Sequence, residues 1–388
     1  MISQAEFELL KILQSSLFEK SYEFSGDVDL GQIITEAKAQ TVLGLISEVI
    51  DFHEEQIDYF KANYIRIMYE QDKVLHMLGD SGVPCVIIKG SSAAIYYSKP
   101  YLRAMGDIDV LVSRDRFNDA TRVFEANGYL GGDAKDPSDV REVEYLKNGI
   151  PIELHHHFSS AGVNVDSILE SAITRCTLHE LSGYKFPVLP DVENGLVLLG
   201  HINQHLKNNV LGLRQIIDWA MYIHTMASNE SWKEYFLSIV NEVGLTNLAA
   251  YVTRLCNLYL GLPEVIDWGK TVDDDLVDRL MEIILTDGNF GRRADIMSVS
   301  NERNVRSAYY EIIRFGFFSY FISVGLSNVY LFNKYRVFRP LAFFYGLFRQ
   351  LGKGIITMLT NKKVYKQLVE GRKRFVLYKK VGVRMKDK

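Results

Sequence analysis

Cysteine is scarce in this chain: Cys85, Cys176 and Cys256 are the only three in 388 residues. They lie far apart, are odd in number and form no C-x-x-C pair. That excludes a disulfide framework and a thiolate zinc site, and it fits a reducing compartment. The N-terminus, MISQAEFELLKILQSSLFEK, lacks a basic segment followed by an apolar one, because Glu6, Glu8 and Lys11 interrupt its apolar pattern. It does not read as a secretory leader, so a cytoplasmic protein is expected. No internal repeat and no low-complexity linker divides the chain. Acidic residues are almost missing from its end. Residues 331–388 hold 16 Lys and Arg against Glu370 and Asp387, a net of +14; the rest carries −18, giving −4 overall. Such asymmetry points to an anionic surface as the partner of the C-terminal region. No RNA- or DNA-binding pattern supports nucleic acid there.

What is present is ordinary globular material, 47% hydrophobic and 24% charged, long enough for roughly two or three domains. Residues 1–80 read as helical. Leu9, Leu10, Ile12 and Leu13 form one apolar stripe, and Ile57, Phe60, Tyr64 and Ile67 another at helical spacing. Residues 51–78 contain neither Pro nor Gly; Gly79, Gly82 and Pro84 end the run. Residues 83–88 read as a buried strand, 91–97 as a helix and 107–112 as a second strand. Ser113 is a candidate N-cap for a helix through Phe117, Ala120, Val123 and Phe124 to Gly128. Residues 140–147 and 150–158 flank Asn148-Gly149, a strong hairpin signal. After Pro190 the pattern is helical again, with Leu196, Leu199, Ile202 and Leu206 on one face and Leu213, Ile216 and Ile217 on another. The expected divisions are 1–80, 81–185, 186–300 and a basic, aromatic-rich helical segment over 301–388.

Residues 315–333 carry no charge, and PLAFFYGLF, residues 340–348, is a second aromatic run between basic residues. Three readings are open: a buried helix, an amphipathic anchor with Arg336, Arg339, Arg349 and Lys353 facing anionic lipid, or a membrane span.

Two aspartates inside a strand set the chemistry. In GDIDVLV, Asp107 and Asp109 share one strand face while Ile108, Val110 and Val112 share the other. Two carboxylates side by side are unfavourable unless a cation neutralises them, and Mg²⁺ or Mn²⁺ does so through oxygen ligands. In PIELHHHF, Glu153 is in phase with His155 and His157, and Ile152, Leu154 and His156 face the other way. If this strand lies beside the first, three carboxylates converge. Such a set holds two metals about 4 Å apart, the arrangement of phosphoryl transfer. Upstream, KGSS follows a strand and opens a helix. Gly90 lets backbone approach a ligand, the amides of Ser91 and Ser92 favour phosphate, Ser91 adds a hydroxyl, and Lys89 and Arg103 add charge. Lys89 and Arg103 also read as surface charges or as partners of the aspartates.

The string KGSSAAIYYSKPYLRAMGDIDVLV, then IELHHHF, then LLGHINQHLKNNVLGLRQIIDWA, resembles a bacterial family of uncharacterised nucleotidyltransferases within the superfamily typified by DNA polymerase β. The resemblance covers roughly residues 40 to 260 and is most specific over 87–112. It implies an α+β fold, a small mixed sheet with flanking helices followed by a helical domain. It also implies Mg²⁺-dependent transfer of a nucleoside monophosphate from an NTP such as ATP to an acceptor. Asp107 and Asp109 take the metal positions and Glu153 the third carboxylate, which can help deprotonate the acceptor hydroxyl. Gly90 and Ser91 take the triphosphate positions. This chain departs from the superfamily in having Lys89 before Gly-Ser, a long gap from Ser91 to Asp107, and Glu rather than Asp at 153.

Other features compete for attention. His155, His156 and His157 cannot share one tetrahedral site, because strand neighbours alternate faces; His155 and His157 can line the face of Glu153. His201 and His205 are spaced i, i+4 but lack the H-E-x-x-H signature, so packing or support of the site competes with metal ligation. Arg214 and Asp218 read as an i, i+4 pair or as lining of the cleft. Gly269-Lys270-Thr271 is not a P-loop, since Glu264 stands where Walker A needs glycine. Asp273-Asp274-Asp275 reads as an acidic helix start.

Overall fold

A computed structural model of the chain describes residues 2–24, 26–50, 54–131, 142–158, 164–264, 266–269, 271–289, 316–329, 331–332, 335–360 and 364–384. Residues 140–141 and 301–315, Tyr330 and Asn333 of the expected elements, Lys270 of the P-loop decoy, and the side chains of Arg336, Arg339 and Lys353 lie outside the described residues.

The N-terminal helices are α1 (Gln4–Phe18), α2 (Leu30–Ala39), the short α3 (Leu43–Ile46) and the long α4 (Glu54–Asp80). A capping box starts α1: the Ser3 hydroxyl accepts from the Glu6 N–H, and the Glu6 carboxylate accepts from the Ser3 N–H. The expected stripe of Leu9, Leu10, Ile12 and Leu13 is fully buried. Gly82, at φ +66°, turns the chain from α4 into the first strand.

The α/β part runs β1 (Cys85–Ile88), α5 (Gly90–Ala94), β2 (Ile108–Val112), α6 (Phe117–Ala126), β3 (Leu130–Gly131), β4 (Glu142–Lys147), β5 (Ile150–His155), α7 (Asp166–Ile173), β6 (Thr177–Leu181) and β7 (Tyr184–Val188). These strands form one mixed sheet in the order β3-β4-β5-β2-β1-β7-β6. β4 and β5 are the expected hairpin, with Asn148 at φ +53° and Gly149 at φ +74° in its turn. The decisive pairing is β2 with β5. They run parallel with Asp109 opposite Glu153 and Leu111 opposite His155.

The structure departs from the sequence reading in three places here. β2 begins at Ile108, so Asp107 precedes the strand instead of opening it. Ser113 makes no side-chain cap; a 3₁₀ turn over Arg114–Arg116 intervenes, and α6 starts at Phe117. β6 and β7 form a second hairpin, turned at Ser182 (φ +52°) and Gly183 (φ +84°), and β7 lies parallel to β1 with Ile87 opposite Val188. That hairpin hides its signal. β6 buries no residue, with Thr177, Leu178 and Glu180 exposed, and Pro187 sits inside β7.

The remaining helices are α8 (Asp191–Asn208), α9 (Leu213–Met226), α10 (Glu230–Glu242), α11 (Thr246–Leu255), α12 (Asp274–Asp287), α13 (Phe317–Asn328), α14 (Arg339–Thr360) and α15 (Val364–Lys380). The acidic triplet is the start of α12, where the Asp273 carboxylate accepts from the Asp275 N–H. The uncharged run forms the 12-residue α13. Among the described residues no helix is long and apolar enough to cross a membrane, so the spanning reading of that run is not borne out there.

The sheet separates two cores. On one face Ile87, Ile108, Val110, Ile152 and Leu154 pack with Tyr64, Ile67, Met68 and Leu78 of α4 and Phe117 and Phe124 of α6. On the other, Val86, Ile88 and Leu111 join the helical core built from α1–α3, α8–α12 and Leu377 and Tyr378 of α15. Asp109, Glu153 and His155 lie on this second face, where the helical layer stands off and leaves a cleft.

Candidate active site

Alternation within two strands places the site. β2 buries Ile108 and Val110 below and turns Asp109 up; β5 buries Ile152 and Leu154 below and turns Glu153 and His155 up. The parallel register then brings them together. One ligand atom each from Asp109, Glu153 and His155 lies within 4.8 Å of the others, a group able to hold a metal ion. His155 Nε2 is 2.9 Å from Asp109 Oδ1 and 3.2 Å from Glu153 Oε2, and its Nδ1 is 3.2 Å from Glu142 Oε2. His156 faces the opposite way, its ring 4.2 Å from that of Phe117. His157 is half exposed and pairs with Asp166 at 2.6 Å. Of the two histidines in phase with Glu153, His155 joins the carboxylates.

Asp107 stands just before β2, outside the strand, and lines the same cleft. Burial, together with the charges of Asp109 and Glu153, pushes its pKa up to about 6 against the pull of Arg214 and Lys89. Glu153 goes the other way. The hydrogen bond from His155 is the main cause, opposed by burial and reinforced by Lys89, and it holds the Glu153 carboxyl far below the usual carboxylate range. For His155, burial and Lys89 oppose the charge, but hydrogen bonds to Asp109, Glu142 and Glu153 prevail and lift its pKa to about 9.

A cation from the protein itself already sits among these carboxylates. Lys89 Nζ donates to Asp109 Oδ1 and lies 3.4 Å from Glu153 Oε2. Burial disfavours its charge, yet Asp109, Glu153 and Asp107 raise its pKa to about 12. Its backbone is unusual for a side-chain-bearing residue, at φ +54° and ψ −133° between β1 and α5. Strain of this kind, roughly 1–3 kcal/mol, persists where the side chain has a task. The donor set therefore fits a divalent ion, on two conditions: Lys89 must withdraw, and His155 must release its proton before it can ligate.

The phosphate-seat residues divide. Gly90 lines the cleft, and neither packing nor backbone angle demands glycine: a Cβ there would meet only Asp107 O, at 3.7 Å. The Ser91 hydroxyl turns away from the cleft and donates to the buried Gln71 Oε1 at 2.5 Å. Ser92 is likewise engaged with Lys89 O and Asn194. Arg103 reaches the cleft but is committed. Its Nε and Nη2 donate to Asp218 Oδ1 and Oδ2, both at 2.7 Å, and Tyr97 Oη donates to the same carboxylate. Thus Asp218 takes its two-pronged partner from 115 residues earlier rather than from Arg214 on its own helix; Arg214 Nη1 donates to Ala104 O.

The opposite wall comes from α8 and α9. His201, Gln204, His205 and Asn208 face the cleft at i, i+3, i+4 and i+7, joined by Arg214 and Gln215. The His201 and His205 rings meet edge to face at 4.2 Å, and His205 Nδ1 lies 3.3 Å from Val210 O. Burial and the nearby cations and His205 push the His201 pKa well down, which keeps it neutral. The cleft encloses about 260 Å³, near the lower end of the roughly 300–1,000 Å³ of ligand pockets. Sequence reasoning missed Glu142, Tyr97, Gln204 and Asn208. The helical phase of His201 and His205 could have pointed to Gln204 and Asn208; nothing local marks Tyr97 or Glu142.

Among known proteins, a family described as uncharacterised nucleotidyltransferase matches residues 29–261, more than half of the chain. No curated protein matches. The chain belongs to the uncharacterised nucleotidyltransferase family.

Proposed function

We propose that this member of the family is a metal-dependent nucleotidyltransferase that moves a nucleoside monophosphate from an NTP, such as ATP, to a hydroxyl-bearing acceptor. The observation that carries the reading is the register of β2 on β5: Asp109 opposite Glu153, with Asp107 just before β2 in the same cleft, which is walled by polar side chains of α8. Asp107, Asp109 and Glu153 form an all-oxygen set suited to Mg²⁺ or Mn²⁺, and exchange of one carboxylate for His155 shifts the preference toward Mn²⁺. Bound there, two such ions with the NTP would neutralise triphosphate charge and activate the attacking oxygen. Lys89 would swing from the carboxylates to a phosphate oxygen. The backbone at Gly90 and Ser91 would seat the phosphates, with Arg103, fixed by Asp218, bordering them. Glu153, released by both His155 and Lys89, would accept the proton of the acceptor hydroxyl. His201, Arg214 and Asp218 would hold the far wall in place. A sugar, a lipid-linked precursor, a protein side chain and a small molecule all present the required hydroxyl.

A second reading has its own observation. Lys89 and His155 satisfy the carboxylates without any metal, as expected of a catalytically inactive nucleotide-binding module on the same fold. Calorimetry separates the two. ATP, CTP, GTP and UTP are titrated with and without Mg²⁺ into the wild type and into Asp107→Asn and Asp109→Asn. The catalytic reading expects Mg²⁺-dependent binding of at least one NTP that both substitutions abolish. Absence of metal-dependent binding by the wild type would sink it, and metal-independent binding would support the inactive module.

A further inference from the structure

The helices α13 and α14 pack tightly against each other. Two glycines allow it: a Cβ at Gly325 would lie 2.1 Å from Ala342 O, and one at Gly346 would lie 2.0 Å from Phe321 O. Tyr320, Phe321 and Ala342 are buried between the helices. The outward face of this hairpin is apolar. On α14, Leu341, Phe344, Phe348 and Leu351 form one stripe at helical spacing, and Phe344 and Phe348 are 54% and 68% exposed. Phe318 on α13 is 68% exposed. Soluble proteins seldom leave so continuous an apolar face uncovered. The surrounding charge has one sign: residues 312–369 hold nine Lys and Arg and no Asp or Glu, and the exposed Arg349 adjoins the stripe.

We infer that the α13–α14 hairpin docks flat on an anionic phospholipid bilayer, with the Phe and Leu stripe at the boundary of headgroups and acyl chains and the basic residues on lipid phosphates. Charge selects this occupant. A second copy would set the same acid-free basic segment against itself. A single-stranded nucleic acid would match the charge but would leave Leu341 and Leu351 without acyl chains to enter. An anionic bilayer answers both the charge and the apolar stripe. Among the described residues neither helix is long and apolar enough to cross it.

Flotation of the full chain with vesicles tests the surface, using phosphatidylcholine alone and phosphatidylcholine mixed with phosphatidylglycerol. Binding to the mixed vesicles is expected, weakening as salt rises. Phe344→Ser with Phe348→Ser is expected to weaken it by about tenfold or more, and Arg349→Ala by about fivefold. All three positions are exposed, and an unchanged circular dichroism spectrum confirms folding. No vesicle binding at low salt, equal binding to neutral vesicles, or an unaffected double variant would each overturn the inference. So would a dimer in lipid-free sedimentation that the double variant abolishes, or single-stranded RNA binding tighter than vesicle binding. Mg²⁺-dependent NTP binding is expected to survive these substitutions, so the result stands apart from the catalytic reading.

Discussion

Asp107 is the residue whose environment says most about the site. It is ionised at neutral pH against its surroundings: its pKa stands at about 6, raised from 3.8. The folded protein therefore holds this proton more tightly than the unfolded chain does. The resulting penalty is absent below about pH 4, grows between pH 4 and 6 and is complete above, at on the order of 2–3 kcal/mol. Asp107→Asn is expected to be more stable than wild type at pH 8 without metal, the gap closing by pH 4, as read by thermal melts across pH. Added Mg²⁺ should reverse the order by stabilising the wild type. Lys89 supplies the matching expectation. Lys89→Met leaves Asp109 and Glu153 with His155 as their remaining cationic partner, so the metal-free protein should lose about 3–5 kcal/mol. It should regain much of that with Mn²⁺, bind the ion more tightly and bind NTP more weakly. Equal melting of variant and wild type without metal would contradict the placement of Lys89.

At the scale of elements, the cleft depends on how α8 meets α9. Gly195 in α8 makes room for the buried Tyr222 of α9; a Cβ there would lie 2.1 Å from Tyr222 Oη. The ring is confined by Trp219, Trp232 and Phe236 and by its hydrogen bond to Asp191 O, so it cannot yield. Alanine favours a helix over glycine by about 1 kcal/mol, but the overlap prevails. Gly195→Ala is expected to lower stability by a net of roughly 1–3 kcal/mol in chemical denaturation. Because α8 also carries His201 and Gln204, NTP affinity should fall with it.

At the scale of the whole molecule, the basic C-terminal region is not an appendage throughout. Leu377 and Tyr378 of α15, with Val381 and Val383 beyond it, enter the helical core. Arg374 Nη1 meets Asp287 Oδ2 at 2.5 Å, with both side chains buried. Arg374→Ala removes a buried guanidinium from beside Asp287 and is expected to destabilise the protein by about 3–5 kcal/mol in thermal or denaturant unfolding, whereas Arg349→Ala, on the exposed hairpin, should leave stability within about 0.5 kcal/mol.

Sequence alone determined what local rules can determine. Alternation set Asp109 opposite in phase to Ile108 and Val110, and Glu153 in phase with His155; Asn148-Gly149 set the β4–β5 turn; helical phase marked the buried faces of α1, α8 and α9. These follow from side-chain periods of 2 and 3.6 and from backbone angles that few residues tolerate. Tertiary structure decided the rest, because which strands become neighbours depends on contacts far apart in the chain. It laid β2 parallel to β5 in the one register that sets Asp109 beside Glu153. It brought His155 close enough to join them, gave Asp218 to Arg103, turned the Ser91 hydroxyl toward Gln71, and placed the Lys89 ammonium among the carboxylates. Side-chain reach across a sheet is a distance in space, and no spacing along the chain encodes it.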